Sequence, residues 1–141
     1  KKATILECVA QLHNKHGEND PIDILSTYGG FEIAMICGGI LKAASLKMVV
    51  IIDGFIVTAA LLVAKAINKN VLDYCVYAHT SGEQGHTKML NHLEAKPLLN
   101  LGLRLGEGTG GALCFPLITA AVSFLNEMAS FTDAQVTNSE L

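Results

Sequence analysis

The run Met48-Val49-Val50-Ile51-Ile52, closed by Asp53-Gly54, constrains the fold more than any other stretch of the chain. A short, unbroken apolar segment rich in β-branched residues has no polar face to offer water. It therefore reads as a strand buried on both sides, the condition met in parallel sheets. Parallel neighbours need helical crossovers between them, and the flanking sequence supplies these. Phe55 to Asn68 follows helical patterning, Asn68-Lys69-Asn70 interrupts it, and Tyr74 to Ala78 reads as a second strand. The polar loop His79-Thr80-Ser81-Gly82-Glu83-Gln84-Gly85-His86 leads into a helix ending near His92, and Leu98 to Leu105 reads as a third strand. A glycine-rich turn then opens the long apolar run Ala112 to Phe131. Strand–helix units in series predict an α/β fold: a doubly wound, mostly parallel sheet with flanking helices, binding ligands at the carboxyl ends of its strands.

The segment before the first strand is helical in pattern. Ile5, Leu6, Val9 and Leu12 recur at helical spacing from Thr4 to His16, with Gly17 placed to stop the helix. Asn19-Asp20-Pro21 supplies an N-cap and a first-turn proline for a short helix through Leu25, and Gly29-Gly30 ends it. A further helix is predicted from Phe31 to about Leu46, with Gly38-Gly39 inside it allowing close approach of another element. Because Lys1 falls almost in mid-helix, the chain reads as a fragment of a longer domain covering residues 1–131, followed by a polar tail at 132–141.

Half of the residues are hydrophobic, a high share for 141 residues, so a large apolar surface is being buried. Surface that a missing half would cover is expected to be exposed, so that the isolated chain associates. A net charge of -3 with no basic cluster argues against a nucleic-acid partner. Cys8, Cys37, Cys75 and Cys114 stand far apart with no Cys-x-x-Cys pair, and read as reduced residues of a cytoplasmic protein. The apolar region Met48 to Ala64 is interrupted by Asp53 and Gly54, so no membrane span is expected, and neither end carries a signal segment.

If the sheet is parallel, three loops converge at one edge: Asp53-Gly54, the His79 to His86 loop, and Gly106-Glu107-Gly108-Thr109-Gly110-Gly111. Glycines bring backbone close to a ligand, and the amides of a helix N-terminus favour an anion. A carboxylate in that setting suits a proton-bearing or cationic part of a substrate instead, which makes Glu107 a candidate general base. Gly106-x-Gly108-x-x-Gly111 also matches the dinucleotide fingerprint literally. That motif needs a second strand ending in an acid some 20 residues on, whereas Glu127 sits in a helical run. Failure of NAD to shift the melting temperature would close that oxidoreductase alternative.

In the middle loop, Ser81 and Gly82 offer hydroxyl and amide donors to a phosphate. His79 and His86 lack the spacing of a helical zinc pair and are read as fixing their loop by hydrogen bonds; no metal is expected. His13 and His16 read as helix surface. Asp53 serves equally well as a ligand-facing acid or as the anchor of the following turn. Arg104 has three open uses: a carboxylate partner, a phosphate partner, or a partner for Asp53 itself.

Taken together, Asp53-Gly54-Phe55-Ile56 with Thr58-Ala59-Ala60, Ser81-Gly82-Glu83-Gln84-Gly85-His86, and Leu101-Gly102-Leu103-Arg104-Leu105-Gly106-Glu107-Gly108-Thr109-Gly110 resemble the nicotinate-nucleotide:dimethylbenzimidazole phosphoribosyltransferase family. Gly29-Gly30-Phe31-Glu32-Ile33-Ala34 and Glu127-Met128-Ala129-Ser130-Phe131 fit the same pattern, which covers nearly all of this chain but only the C-terminal part of a family member. Two positions depart from it: Gln84, where the family usually has proline, and Gly111, where it has a small non-glycine residue.

The resemblance implies a cytoplasmic, homodimeric enzyme of cobalamin lower-ligand synthesis. Such an enzyme moves the phosphoribosyl group of nicotinate mononucleotide to 5,6-dimethylbenzimidazole or a related base, without cofactor or metal. It further implies a doubly wound domain with a small helical one, and a site completed by the N-terminal half. The family's catalytic glutamate falls on Glu107, with substrate contacts expected at Asp53, Ser81, Gly82, Leu105, Gly106 and Gly108. A non-catalytic nucleotide-binding or assembly module is the alternative for so short a chain.

Overall fold

The structure, a computed structural model, describes residues 4–5, 7–11, 20–104, 106–130 and 133–134. Residues 4–5 and 7–11 are helical and exposed; the expected stop at Gly17 and most of the polar tail lie outside the described residues. Helix α1 spans Pro21–Tyr28, where Asp20 Oδ1 accepts the amides of Ile22 (2.7 Å) and Asp23 (3.3 Å). It runs past the expected end at Leu25 because no breaker intervenes before Gly29, whose amide bonds the Leu25 carbonyl at 2.8 Å.

Helix α2 spans Phe31–Ser45. Its buried residues Cys37, Ile40 and Ala44 form one stripe facing helix α3, Gly54–Ile67. On α3, Thr58, Ala60, Leu61 and Ala64 are fully buried, and the two alanines keep the interhelical contact thin. The sequence expectation fails at Gly38 and Gly39: a Cβ at either would meet nothing within 4 Å, and both are exposed. Among the described residues, no element approaches them.

Strand β1, Val50–Ile52, pairs in parallel with β2, Cys75–Tyr77, in the register Val50↔Cys75, Ile51↔Val76, Ile52↔Tyr77. A 3₁₀ turn, Lys69–Tyr74, links α3 to β2 and buries Val71 in the core with Ile52, Leu61 and Leu93. Helix α4, Gln84–His92, follows the polar loop, and helix α5, Thr109–Glu127, ends the architecture. The α/β class with a parallel sheet and flanking helices holds, but the sheet is smaller than expected.

Of the predicted third strand, Leu98 to Leu105, the described residues Leu98 to Arg104 form no strand, and Leu105 lies outside the described residues. The segment lies parallel to the continuation of β2 through one bridge, His79↔Leu99. The Leu98, Leu99 and Thr80 amides donate across this edge at 2.9 Å each, to Tyr77, Ala78 and Leu99 respectively. Regular pairing is interrupted where Gly102 turns left-handed at φ 64°, leaving a single further bond from the Gly82 amide to the Leu103 carbonyl (3.2 Å), and Leu98 and Leu101 remain exposed because, among the described residues, nothing buries the outer face.

The second departure is α5. By length and composition alone this 19-residue helix is apolar enough to cross a bilayer, a property the reading of Met48 to Ala64 did not address. Gly110 and Cys114 are buried and tie its first turns to the body of the fold, while Leu113, Phe115, Leu117, Val122, Phe124 and Leu125 are exposed. Phe31 (95% exposed) and Met35 on α2 add to this apolar surface. Much of the hydrophobicity of the composition therefore lies on uncovered faces among the described residues.

Candidate active site

Asp53 follows β1 and occupies the N-cap position of α3, yet its side chain accepts nothing from the α3 amides. The turn is made instead by Gly54, whose φ of 79° only glycine adopts freely. The carboxylate turns to β2: His79 Nε2 lies 2.9 Å from Asp53 Oδ1, with His79 5% and Asp53 16% exposed. Burying an acid demands a donor, and the histidine supplies it. Asp53 Oδ2 and His79 Nδ1 are buried without hydrogen-bond partners among the described residues.

Helix α5 closes over this pair. A Cβ on Gly110 would overlap the His79 ring and Asp53 Oδ1, so the position is restricted to glycine by space. Burial first, and then the Asp53 charge, push the neighbouring Cys114 thiol above its ordinary range. All four cysteines are free, and burial pushes Cys75 up to about 11.

His86 does what loop-fixing requires. The Ser81 amide donates to its Nδ1 at 2.9 Å, which assigns the ring proton to Nε2. Nε2–H then donates to Thr58 Oγ1 at 3.0 Å, and the Thr58 hydroxyl donates to the Gly54 carbonyl at 2.7 Å. Helix α4, the polar loop and the Asp53-Gly54 turn are joined by this one chain of bonds. Burial chiefly, helped by His79 and opposed by Asp53, holds His86 below the usual histidine range.

In the glycine turn, Glu107 and Gly108 are both left-handed, at φ 66° and 79°. For a residue with a side chain this conformation costs about 1 kcal/mol or more. The Thr109 hydroxyl donates to the Gly106 carbonyl at 3.0 Å and the Ala112 amide to the Gly108 carbonyl at 2.9 Å, which locks the turn onto α5. Strain is thus used to aim one carboxylate.

These elements border one cleft of ≈ 390 Å³, lined by residues that include Asp53, His79, Ser81, Arg104, Glu107 and the glycines 106 and 108. The three loops converge as their places after successive extended segments predicted. Gly82 does not line the cleft but lies beneath Arg104, and Leu105 is outside the described residues. Among the described residues, no group of three or more His, Cys, Asp or Glu side chains is arranged to hold a metal ion.

Sequence reasoning missed the tie between His79 and Asp53. The register brings the two strand ends together, with Ile52 opposite Tyr77, but Asp53 is the first residue past β1 and His79 the second past β2, so spacing along the strands does not by itself pair them. The dinucleotide reading fails here too, since Glu127 is the last residue of α5 and no strand follows it among the described residues.

Known proteins place the chain in a family. A family model described as phosphoribosyltransferase matches residues 1–136. Relatives named nicotinate-nucleotide–dimethylbenzimidazole phosphoribosyltransferase include one from Janthinobacterium sp. (strain Marseille), 53% identical over 136 residues. Another, from Shewanella oneidensis, is 56% identical over 136 residues. Each match covers 96% of this chain and 39% of the relative, so the chain spans about two fifths of their length. The solved structure of that enzyme from Thermus thermophilus superposes with a TM-score of 0.80 at 38% identity, over 85% of this chain and 36% of that one.

Proposed function

Because the chain belongs to the nicotinate-nucleotide–dimethylbenzimidazole phosphoribosyltransferase family, we propose that it carries the base-bearing part of an active site for phosphoribosyl transfer. The substrates are nicotinate mononucleotide and 5,6-dimethylbenzimidazole or a related base, and the products are α-ribazole phosphate and nicotinate. The observation that carries this reading is Glu107, held left-handed in the glycine turn on the cleft shared by Asp53 and Ser81.

The chemistry follows from the benzimidazole ring. Glu107 removes the ring N–H proton, and the other ring nitrogen attacks the ribosyl C1 carbon. The bond from that carbon to the pyridinium nitrogen breaks, and its electron pair neutralises the departing nicotinate ring. Charge stabilisation falls to groups already fixed in the cleft, among them the His79-braced carboxylate of Asp53. Ser81, Gly106 and Gly108, which line the cleft, contribute the remaining contacts from this segment, whereas Gly82 acts only from beneath Arg104. The reaction needs no cofactor or metal in this scheme.

The exposed apolar faces of α2 and α5 support a protein that works as a homodimer within a larger domain, with residues outside this segment completing the site. Four free cysteines support a cytoplasmic setting. The test is incubation of the full-length protein with both substrates, following nicotinate release and α-ribazole phosphate by chromatography. Binding of the nucleotide without any product would instead favour a non-catalytic module.

A further inference from the structure

An aspartate at a helix N-cap ordinarily turns its carboxylate onto the amides two and three residues on, as Asp20 does for α1. Asp53 holds the same place before α3, with the extended backbone (φ -113°, ψ 109°) that suits a capping residue, yet makes no such bond. The amides it forgoes belong to Phe55 and Ile56. Two partners thus compete for one carboxylate, the first turn of its own helix and Nε2 of His79, and His79 holds it at 2.9 Å. Because Asp53 Oδ2 has no hydrogen-bond partner among the described residues, the contact with His79 alone orients the acid.

His79 is itself fixed in place. Its backbone bridges Leu99, its side chain is 5% exposed, and Gly110 of α5 lies against its ring. A ring held on these sides cannot follow the carboxylate, so the carboxylate comes to the ring. Held there, Asp53 keeps one edge on the cleft and lies under the turn that carries Glu107: a Cβ on Gly108 would be 3.9 Å from Oδ2, and one on Gly111 3.5 Å. Capping α3 would instead carry both oxygens from beneath that turn to the Phe55 and Ile56 amides.

We propose that His79 is a positioning residue for the transfer step, drawing the Asp53 carboxylate off the N-terminus of α3 and keeping it under the glycine turn, where its charge serves the reacting carbon. The assignment rests on the phosphoribosyl-transfer reading, in which Asp53 is one of the groups that meet the positive charge developing at the ribosyl carbon. His79 acts through Asp53, and the role requires no contact between the imidazole and either substrate.

The experiment separates the donor from the ring, in the full-length protein. Glutamine carries its amide nitrogen about where His79 Nε2 lies, whereas asparagine, a methylene shorter, falls short of Asp53. His79→Asn should lower kcat on the order of 10- to 100-fold and change KM for nicotinate mononucleotide and dimethylbenzimidazole less than about threefold, because the misplaced charge is missed in the transition state rather than in binding. His79→Gln should recover most of kcat. In an Asp53→Ala background, His79→Asn should cost no more than about twofold, since both changes act through one contact. A crystal structure of His79→Asn should show the Asp53 carboxylate accepting from the Phe55 or Ile56 amide. Equal losses in the Asn and Gln variants, an undiminished loss in the Asp53→Ala background, or an Asp53 carboxylate that stays in the cleft without His79 would each overturn the assignment while leaving the enzyme reading intact. Failure of His79→Asn to fold would overturn it too, since α3 would then offer the acid no alternative place. If the unsubstituted protein turns over neither substrate, the enzyme reading itself falls, and the assignment with it.

Discussion

His79 Nε2 sits 2.9 Å from Asp53 Oδ1, which joins the residue that follows β1 to the loop that follows β2 beneath the first turn of α5. Gly110 packs directly on the pair, His79 is buried, and Asp53 keeps one edge on the cleft. The pair is a brace between two loops of the cleft, and the glycine turn bearing Glu107 rests on it.

Gly110→Ala tests that brace. The added methyl would overlap both members of the pair, so overpacking should destabilise the protein by about 1–3 kcal/mol and lower turnover. Chemical denaturation reads the first effect and steady-state assay the second. Unchanged stability would mean that α5 does not close on Asp53 and His79 as described.

Gly39→Ala is the contrasting case. The position is in mid-helix with nothing within 4 Å of a new Cβ, so helix propensity alone predicts a gain of roughly 0.5–1 kcal/mol. A clear loss of stability would reveal a segment outside the described residues packed against α2.

Glu107→Gly separates stability from function. Glycine adopts the left-handed conformation at φ 66° without strain, so the variant should be more stable by about 1 kcal/mol and inactive. A variant less stable than the parent protein would show that the Glu107 side chain holds the turn rather than serving the cleft.

Much of this was legible in the sequence where the determinant is local. Asp20 before Pro21, the Gly29-Gly30 stop and the β-branched run to Ile52 each act through their own backbone, and each element forms within a few residues of its expected bounds. The union of Asp53, Ser81 and Glu107 on one cleft followed from the parallel topology. Where partners come from afar, sequence misled: Gly38-Gly39 suggests a close neighbour that the described residues do not contain, and Leu98 to Leu105 has strand composition but no covering layer. The tie of His79 to Asp53 and the draping of Arg104 over Gly82 are set by register and by the third dimension, which no spacing rule encodes.

Acidification should loosen the polar loop. Folding lowers the His86 pKa, chiefly by burial, from its ordinary value of 6.5, so the unfolded chain binds the proton more readily than the folded one. The stability that neutral His86 contributes is therefore complete above pH 6.5 and declines as pH falls below it. Protonation also ends the Ser81 amide bond to Nδ1. Melting temperature measured against pH should show this decline, and a His86→Gln variant should lack it. Parallel pH profiles for the two proteins would remove His86 as the titrating group.

The central claim is that Glu107 takes the proton from the incoming base, and the most direct measurement is the single-turnover rate of Glu107→Gln at saturating nicotinate mononucleotide and dimethylbenzimidazole. Glutamine keeps the shape and hydrogen bonding of the side chain but cannot accept the proton. The expected result is a fall of about a hundredfold to ten-thousandfold in the chemical step with both substrates still bound. A single-turnover rate close to that of the parent protein would contradict the assignment of Glu107 as the base, whatever its effect on stability.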